Sequence, residues 1–322
     1  MEIPPRTSGP DDGARLAALV TELATATEAV CAIAAGLTLR AGGRAATPEV
    51  HSALDEVLGL LGIEQLGSRL DRLECQTLAR AIEARVAHAQ DFASAPDRPS
   101  GSDPPWELLE SQWLTADALA DALHTGVMPQ LEDLCQRMQS PGARFLDVGT
   151  GLAGLAIALC RLWPQPAGIG IDTSHAAIAG ARERVAAADL TKRVQLRVQD
   201  AAQLQDRERF DFAWVPTARI RANALGETLR RVLASTRTGG WVVVAALGGA
   251  TPLSIAIARL RTARIGGAVL TPPEAEAALR SAGWADVRSL PRDTLQSLWM
   301  TAGRRPRASC RRLSPTPRAR SA

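Results

Sequence analysis

With 322 residues, 46% of them apolar and 22% charged, the chain can bury a large core as one domain or two, which excludes a fibrous or wholly disordered protein. Tyrosine is absent and aromatics make up only 3%, which weighs against a base-stacking nucleic-acid surface and removes Tyr as a general acid or base. The net charge of +3 comes from the end of the chain: from Gly303 onward there are seven arginines and no acid, leaving 30 basic against 34 acidic residues before it.

Taken from the start, residues 1–13 are Pro- and Gly-rich and read as disordered, with neither the basic region nor the apolar core of a signal peptide. Residues 14–140 read as an all-helical region. In its first helix Leu16, Leu19, Leu23, Ala26, Val30, Ile33 and Leu37 are spaced alternately three and four apart, the seam of a helix pair. That seam suits either a homodimer or packing within the subunit. Gly42 and Gly43 end it, and Thr47-Pro48-Glu49 offers a cap, a first-turn proline and an early acid for the next helix. Ser68 with Asp71 makes a capping-box pattern before a long helix towards Phe92. Residues 93–105 form a Pro/Ser/Gly linker, and residues 106–139 read as further helix. The region has no basic recognition helix, so DNA binding is not expected of it. No apolar run approaches the ~18 residues of a membrane span, and a cytoplasmic location is expected. Cys31, Cys135 and Cys160 fall in apolar helical patterns and read as buried thiols; the five cysteines show no CxxC spacing.

After Ser140-Pro141-Gly142 the pattern changes. Short apolar runs near 143–148, 167–172, 194–199, 210–215 and 240–247 alternate with helices, the pattern of a parallel sheet covered on both faces. Two further runs near 285–290 and 295–302 are too close for a crossover helix and must be antiparallel. The expected fold is thus α/β: a Rossmann-like, seven-stranded, mostly parallel sheet over 141–302 with an antiparallel last pair, after an all-α N-terminal region, and with a basic disordered tail over 303–322.

Phe145 to Leu159 reads FLDVGTGLAGLAIAL. A strand ends at Asp147, and Gly149, Gly151 and Gly154 then lead into an apolar helix. Such glycines permit a tight turn and close approach of a ligand to a helix N-terminus. The spacing alone also matches a dinucleotide fingerprint. Asp147 argues against that, because a carboxylate there repels a diphosphate and attracts an amino-acid ammonium. Asp172 ends the second run, placed for ribose hydroxyls, and Asp200 ends the third, placed for an adenine amine; strand C-termini are where open α/β sheets bind ligands.

Asp147-Val148-Gly149-Thr150-Gly151, Gly170-Ile171-Asp172 and Gln199-Asp200-Ala201 resemble, in order, the first three motifs of the class I S-adenosylmethionine-dependent methyltransferases. Phe210-Asp211-Phe212-Ala213-Trp214-Val215 resembles the fourth strand, and Arg237-Thr238-Gly239-Gly240-Trp241-Val242 the turn into the fifth. The resemblance covers 143–302 and departs where Ala153 stands in place of a third glycine. It implies S-adenosyl-L-methionine as cofactor, held by Asp147, Gly149, Thr150, Gly151, Asp172, Thr173, Asp200, Ala201 and Trp214. The helical region is similar to the lid of small-molecule methyltransferases, including those of natural-product pathways. Trp106, Gln112, Trp113, Pro216 and Thr217 are the candidate substrate residues, with Trp214 lining the methyl-transfer cavity. Trp214-Val215-Pro216-Thr217 is not the Asn/Asp-Pro-Pro-Tyr/Phe that holds an amine in DNA- and glutamine-methylating enzymes, so nucleic acid is not expected as substrate. No clustered Asp/His set suggests a metal. Of the four histidines, His51, His88, His124 and His175, the catalytic-base candidate is His124, while His175 is placed nearer the adenosine. The alternatives are an NAD(P)-binding oxidoreductase and a non-catalytic S-adenosylmethionine-binding regulator.

Overall fold

The computed structural model describes residues 10–42, 45–63, 69–100, 103–291 and 297–307. It divides into two compact units, Met1–Pro96 with Trp106–Thr115, and Asp97–Pro105 with Ala116–Ala322.

The first unit is helical: α1 (Pro10–Arg40), α2 (Pro48–Leu60), α3 (Arg72–Ser94) and α4 (Trp106–Leu114). Its core forms where Leu37 of α1 and Ala41 just after it meet Cys75 and Ala79 of α3, with Ile33 and Ile82 packed alongside. The seam residues Ile33 and Leu37 therefore pair within the subunit. Leu16, Leu19, Leu23 and Val30 instead stand exposed on the N-terminal part of the same helix, with Val20 beside them. Cys31, expected buried, is exposed there too. Helix α1 starts at Pro10, inside the stretch expected to be disordered. It also corrects the expectation about membranes: Asp12–Arg40 is long and apolar enough, by length and composition, to cross one. The two glutamates Glu22 and Glu28, which break its sequence into short apolar runs, concealed this.

The capping box at the start of α3 is made by Asp71 and Glu74: Glu74 N donates to Asp71 Oδ1 (2.8 Å) and Asp71 N to Glu74 Oε2 (2.7 Å). Ser68 and Gly43, expected at helix ends, lie outside the described residues.

The second unit carries α5 (Ala116–Ala122), α6 (Leu134–Gln139), β1 (Arg144–Val148), α7 (Gly154–Leu162), β2 (Ala167–Asp172), α8 (His175–Ala187), β3 (Val194–Val198), β4 (Phe210–Pro216), α9 (Leu225–Ser235), β5 (Thr236–Leu247), α10 (Pro252–Ile265), α11 (Pro272–Ser281), β6 (Ala285–Ser289) and β7 (Leu298–Arg304). The seven strands lie in the order β3-β2-β1-β4-β5-β7-β6. The first five are mutually parallel, and β7 runs antiparallel to both β5 and β6. The central strands are buried on both faces, hence their near-continuous apolar runs. Helix α9 lays Leu225, Leu229 and Val232 on the sheet, and full burial of each such side chain contributes about 1.5–3 kcal/mol.

Two boundaries differ from expectation. Strand β7 continues to Arg304, past the start of the tail placed at 303. The stretch expected as one helix over 106–139 is divided, and its part from Ala116 packs with the sheet. A π turn (Leu123–Val127) and a 3-10 turn (Met128–Gln130) interrupt it, where Gly126 and Pro129 disfavour regular helix. The half-unwound segment is pinned by charge: buried Arg304 donates to Glu132 (2.6 Å) and Asp133 (3.0 Å), and Trp241 Nε1 to the Glu132 carbonyl (3.0 Å).

Candidate active site

The glycine turn connects β1 to α7. Gly149 (φ 64°) and Gly151 (φ 54°) use the left-handed region, and so does Ala153 (φ 60°), which caps α7. Alanine tolerates that geometry at roughly 1–2 kcal/mol, so the missing third glycine is a conformational cost rather than a change of shape. The turn is fastened to β2, since Thr150 N donates to the Ile171 carbonyl (3.0 Å). A Cβ on Gly170 would stand 2.7 Å from Thr150 Oγ1, so glycine at that β2 position is what lets the turn lie down.

Asp147 lies beneath this turn, 3% exposed, where its Oδ2 accepts from Thr150 Oγ1 (2.7 Å). Burial pushes its pKa up to about 7; the bond from Thr150 opposes this, neighbouring Asp172 adds to it, and a bond to Ala156 opposes it. Because the folded pKa exceeds the ordinary 3.8, this group favours folding below that pH, and the contribution is lost as pH rises through about 7. A cationic ligand end over the turn favours the carboxylate, so binding draws a proton off. We expect S-adenosylhomocysteine to bind with proton release below pH 7 and to weaken by up to about tenfold per pH unit there. Calorimetry in buffers of different ionisation enthalpy measures this; no proton release at pH 6 would contradict it.

Asp172 is committed at both oxygens to the backbone at the site: Oδ2 accepts from Gly151 N (3.0 Å) and Oδ1 from Ser174 N (2.9 Å). It thus ties the turn to the loop that starts α8, and its remaining lone pairs suit a pair of ribose hydroxyls. Asp200 lies two residues past the end of β3 and caps a 3-10 turn, its Oδ1 accepting from Ala202 N (2.8 Å). A cleft of about 590 Å³ opens over the ends of β2 and β3, lined by Thr173, Val198, Gln199 and Asp200 and, further out, by Gln203 and Asp206. Its volume suits a small ligand. The glycine turn, the helix N-terminus behind it, the acids at successive strand ends and this polar cleft fit S-adenosylmethionine.

Asp147, Gly149, Gly151, Asp172, Thr173 and Asp200 thus fall at or just beyond the C-terminal ends of β1, β2 and β3. Thr150 belongs to the turn, but its hydroxyl is spent on Asp147. The side chain of Ala201 lies in the hydrophobic core. Trp214 pairs in register with Asp147 and is buried at 5% exposure. Pro216 is half-buried, whereas Thr217 is fully buried and its hydroxyl lacks a hydrogen-bond partner among the described residues. Trp106, Gln112 and Trp113 lie on α4 of the helical unit. His175 opens α8 and is exposed.

His124, the catalytic-base candidate, lies in the second unit. It sits in the π turn with its ring edge-on to Trp163, centroids 5.1 Å apart. Trp163 follows the C-terminus of α7, and the nine residues of that helix place it roughly 13 Å from the glycine turn. The contact gives the histidine a packing role, and we propose no proton transfer through it. His124→Ala is expected to leave the Kd for S-adenosylhomocysteine unchanged while lowering stability by about 0.5–3 kcal/mol, read by calorimetry and thermal melting. Arg219, by contrast, gave no sequence signal, yet its stem packs on Gly149.

Residues 145–240 match the family model of the methyltransferase domain. The release factor glutamine methyltransferase of Cereibacter sphaeroides is 38% identical over 73 residues, which span 22% of this chain and 26% of that protein. The fold is similar to the pyocyanin biosynthetic protein PhzM (TM-score 0.59, 17% identity, 91% of this chain and 99% of that one). It is similar also to human N-acetylserotonin methyltransferase solved with S-adenosylmethionine (TM-score 0.57, 16% identity, 93% and 99%). Residues 145–240 thus match a methyltransferase domain, and the seven-stranded sheet preceded by helices is the fold shared with these solved structures.

Proposed function

We propose that the protein transfers the methyl group of S-adenosylmethionine to a small molecule of the kind made in natural-product pathways. The observation that carries the transfer reaction is the glycine turn held between two acids, Asp147 beneath it and Asp172 tied to Gly151 N. A small acceptor is supported at the end of β4, where Trp214-Val215-Pro216-Thr217 has no asparagine or acid to hold an amide or base amine, although the matched bacterial relative methylates glutamine by its name. The likeness to PhzM, which extends through the helical region, supports the same reading.

The cofactor supplies a methyl group already activated on a sulfonium. The chain's own residues then have mainly to align donor and acceptor, and positioning alone contributes about 7–11 kcal/mol. The glycine turn and Asp172 fix the donor, and Trp214 and Pro216 stand beside the turn on β4. Incubation with S-adenosylmethionine and a panel of phenols, amines and acids, read by mass spectrometry, tests the reading. A product heavier by one methylene, dependent on the cofactor, supports it; tight binding of NADH without S-adenosylhomocysteine binding sinks it.

We further propose that the exposed stripe of Leu16, Leu19, Val20 and Leu23 is covered by a second copy of this chain, and that the protein is cytoplasmic. The stripe continues the three-four spacing that pairs Leu37 within the subunit, whereas a membrane would bury Glu22 and Glu28 at roughly 2.5–3.5 kcal/mol each. A detergent-free dimer by light scattering, made monomeric by Leu19→Glu with Leu23→Glu, is the expected result. Recovery only from the membrane fraction would contradict it.

A further inference from the structure

Arg219 is the last residue of a 3-10 turn (Thr217–Arg219) that comes directly after β4. That turn is clamped in place: Ala268 N donates to the carbonyls of Thr217 (3.0 Å) and Ile220 (2.8 Å), and Ile220 N donates to Thr217 O (3.1 Å). Behind it a Cβ on Gly267 would stand 2.4 Å from the Ala218 carbonyl, so the two segments touch backbone to backbone. The arginine therefore leaves the chain from a fixed point. Its stem crosses the glycine turn, and a Cβ on Gly149 would stand 2.7 and 2.8 Å from its Cβ and Cγ. The residue is half-buried, and its guanidinium is within electrostatic reach of Asp172. Strand order puts this reach in context: β4 and β2 flank β1, so a side chain rooted after β4 that senses the acid ending β2 spans the β1 turn between them.

A methionine end carries an ammonium and a carboxylate on a single carbon. The turn has a buried carboxylate beneath it, Asp147, and a half-buried arginine across it. An arginine fork matches a carboxylate bidentately and is always charged. We propose that Arg219 recognises a carboxylate at the glycine turn, that of the cofactor's methionine end or that of an acceptor. The proposal rests on the assignment of S-adenosylmethionine to this turn. Arg219 is a binding residue here and takes no part in proton transfer.

The test uses the full chain and three probes: S-adenosylhomocysteine, its decarboxylated analogue, which keeps the ammonium, and benzoate added to the S-adenosylhomocysteine complex. If the cofactor supplies the carboxylate, Arg219→Ala weakens S-adenosylhomocysteine by roughly 10- to 100-fold and leaves the decarboxylated analogue unchanged. If the acceptor supplies it, S-adenosylhomocysteine is unaffected and benzoate binding is lost. Arg219→Lys, which keeps the charge without the fork, should recover part of the lost affinity and serves if the alanine variant does not fold. The proposal is overturned if Arg219→Ala binds all three probes as the wild type does, or binds S-adenosylhomocysteine more tightly, since the side chain would then merely obstruct the turn. Failure of the wild type to bind S-adenosylhomocysteine at all would refute the cofactor assignment instead.

Discussion

Asp172→Ala is expected to weaken S-adenosylhomocysteine binding by at least roughly 100-fold, with the protein still folded. Two hydrogen bonds from ribose hydroxyls to a carboxylate contribute about 1.5–3 kcal/mol each, and both go with the side chain. The same carboxylate accepts from Gly151 N and Ser174 N, so its removal also loosens the turn from the loop that opens α8. Asp172→Asn separates the two effects. Its amide offers one acceptor oxygen, so it can serve Gly151 N or Ser174 N but not both. It should therefore fall between the wild type and the alanine variant by calorimetry, with melting curves confirming the fold. An alanine variant that binds as the wild type does would remove Asp172 from the site.

Gly149→Ala is expected to weaken binding as well, for a steric reason. The backbone there has φ 64°, and the added methyl would meet the Cβ and Cγ of Arg219 at 2.7 and 2.8 Å. Left-handed strain costs about 1–2 kcal/mol and forced packing typically 1–3 kcal/mol more. Arg219 cannot retreat as a unit, because its turn is held by Ala268 and Gly267. The turn must shift instead, and affinity for S-adenosylhomocysteine should fall by roughly 30-fold or more. An alanine variant with wild-type affinity would show that the turn has slack and would weaken the claim that its shape is what the cofactor reads.

The sheet could be read closely from the chain. Strands buried on both faces are short apolar runs bounded by turn residues, and Phe145 to Val148 or Phe210 to Val215 can be nothing else in that context. The order of acids at strand ends was readable for the same reason, since strand boundaries fix where Asp147, Asp172 and Asp200 must fall. What was not readable depended on distant partners. The three-four spacing of α1 shows a stripe but not its occupant, so Leu37 and Leu16 look alike although one is buried and the other exposed. The boundary at residue 140 reflected a change of pattern. The actual attachment of residues 116–139 to the sheet is made by Arg304 and Trp241, more than a hundred residues away.

His124 and Arg219 show the same limit at the site. A histidine in a helical pattern carries no mark of its neighbour, and only the fold shows its ring edge-on to Trp163. Arg219 comes after a strand end already credited with Pro216 and Thr217, and no spacing rule distinguishes it from Arg221. Its importance comes from contact with Gly149, which exists only once β1 and β4 are paired.

The most direct measurement is a calorimetric titration of the full-length protein with S-adenosylhomocysteine, alongside NADH, at pH 6 and pH 8. Saturable binding of the first ligand alone is predicted, tighter at pH 8, with a proton released at pH 6 as Asp147 ionises. Heat from NADH, or no binding of S-adenosylhomocysteine at either pH, would contradict the assignment of this turn to a sulfonium cofactor.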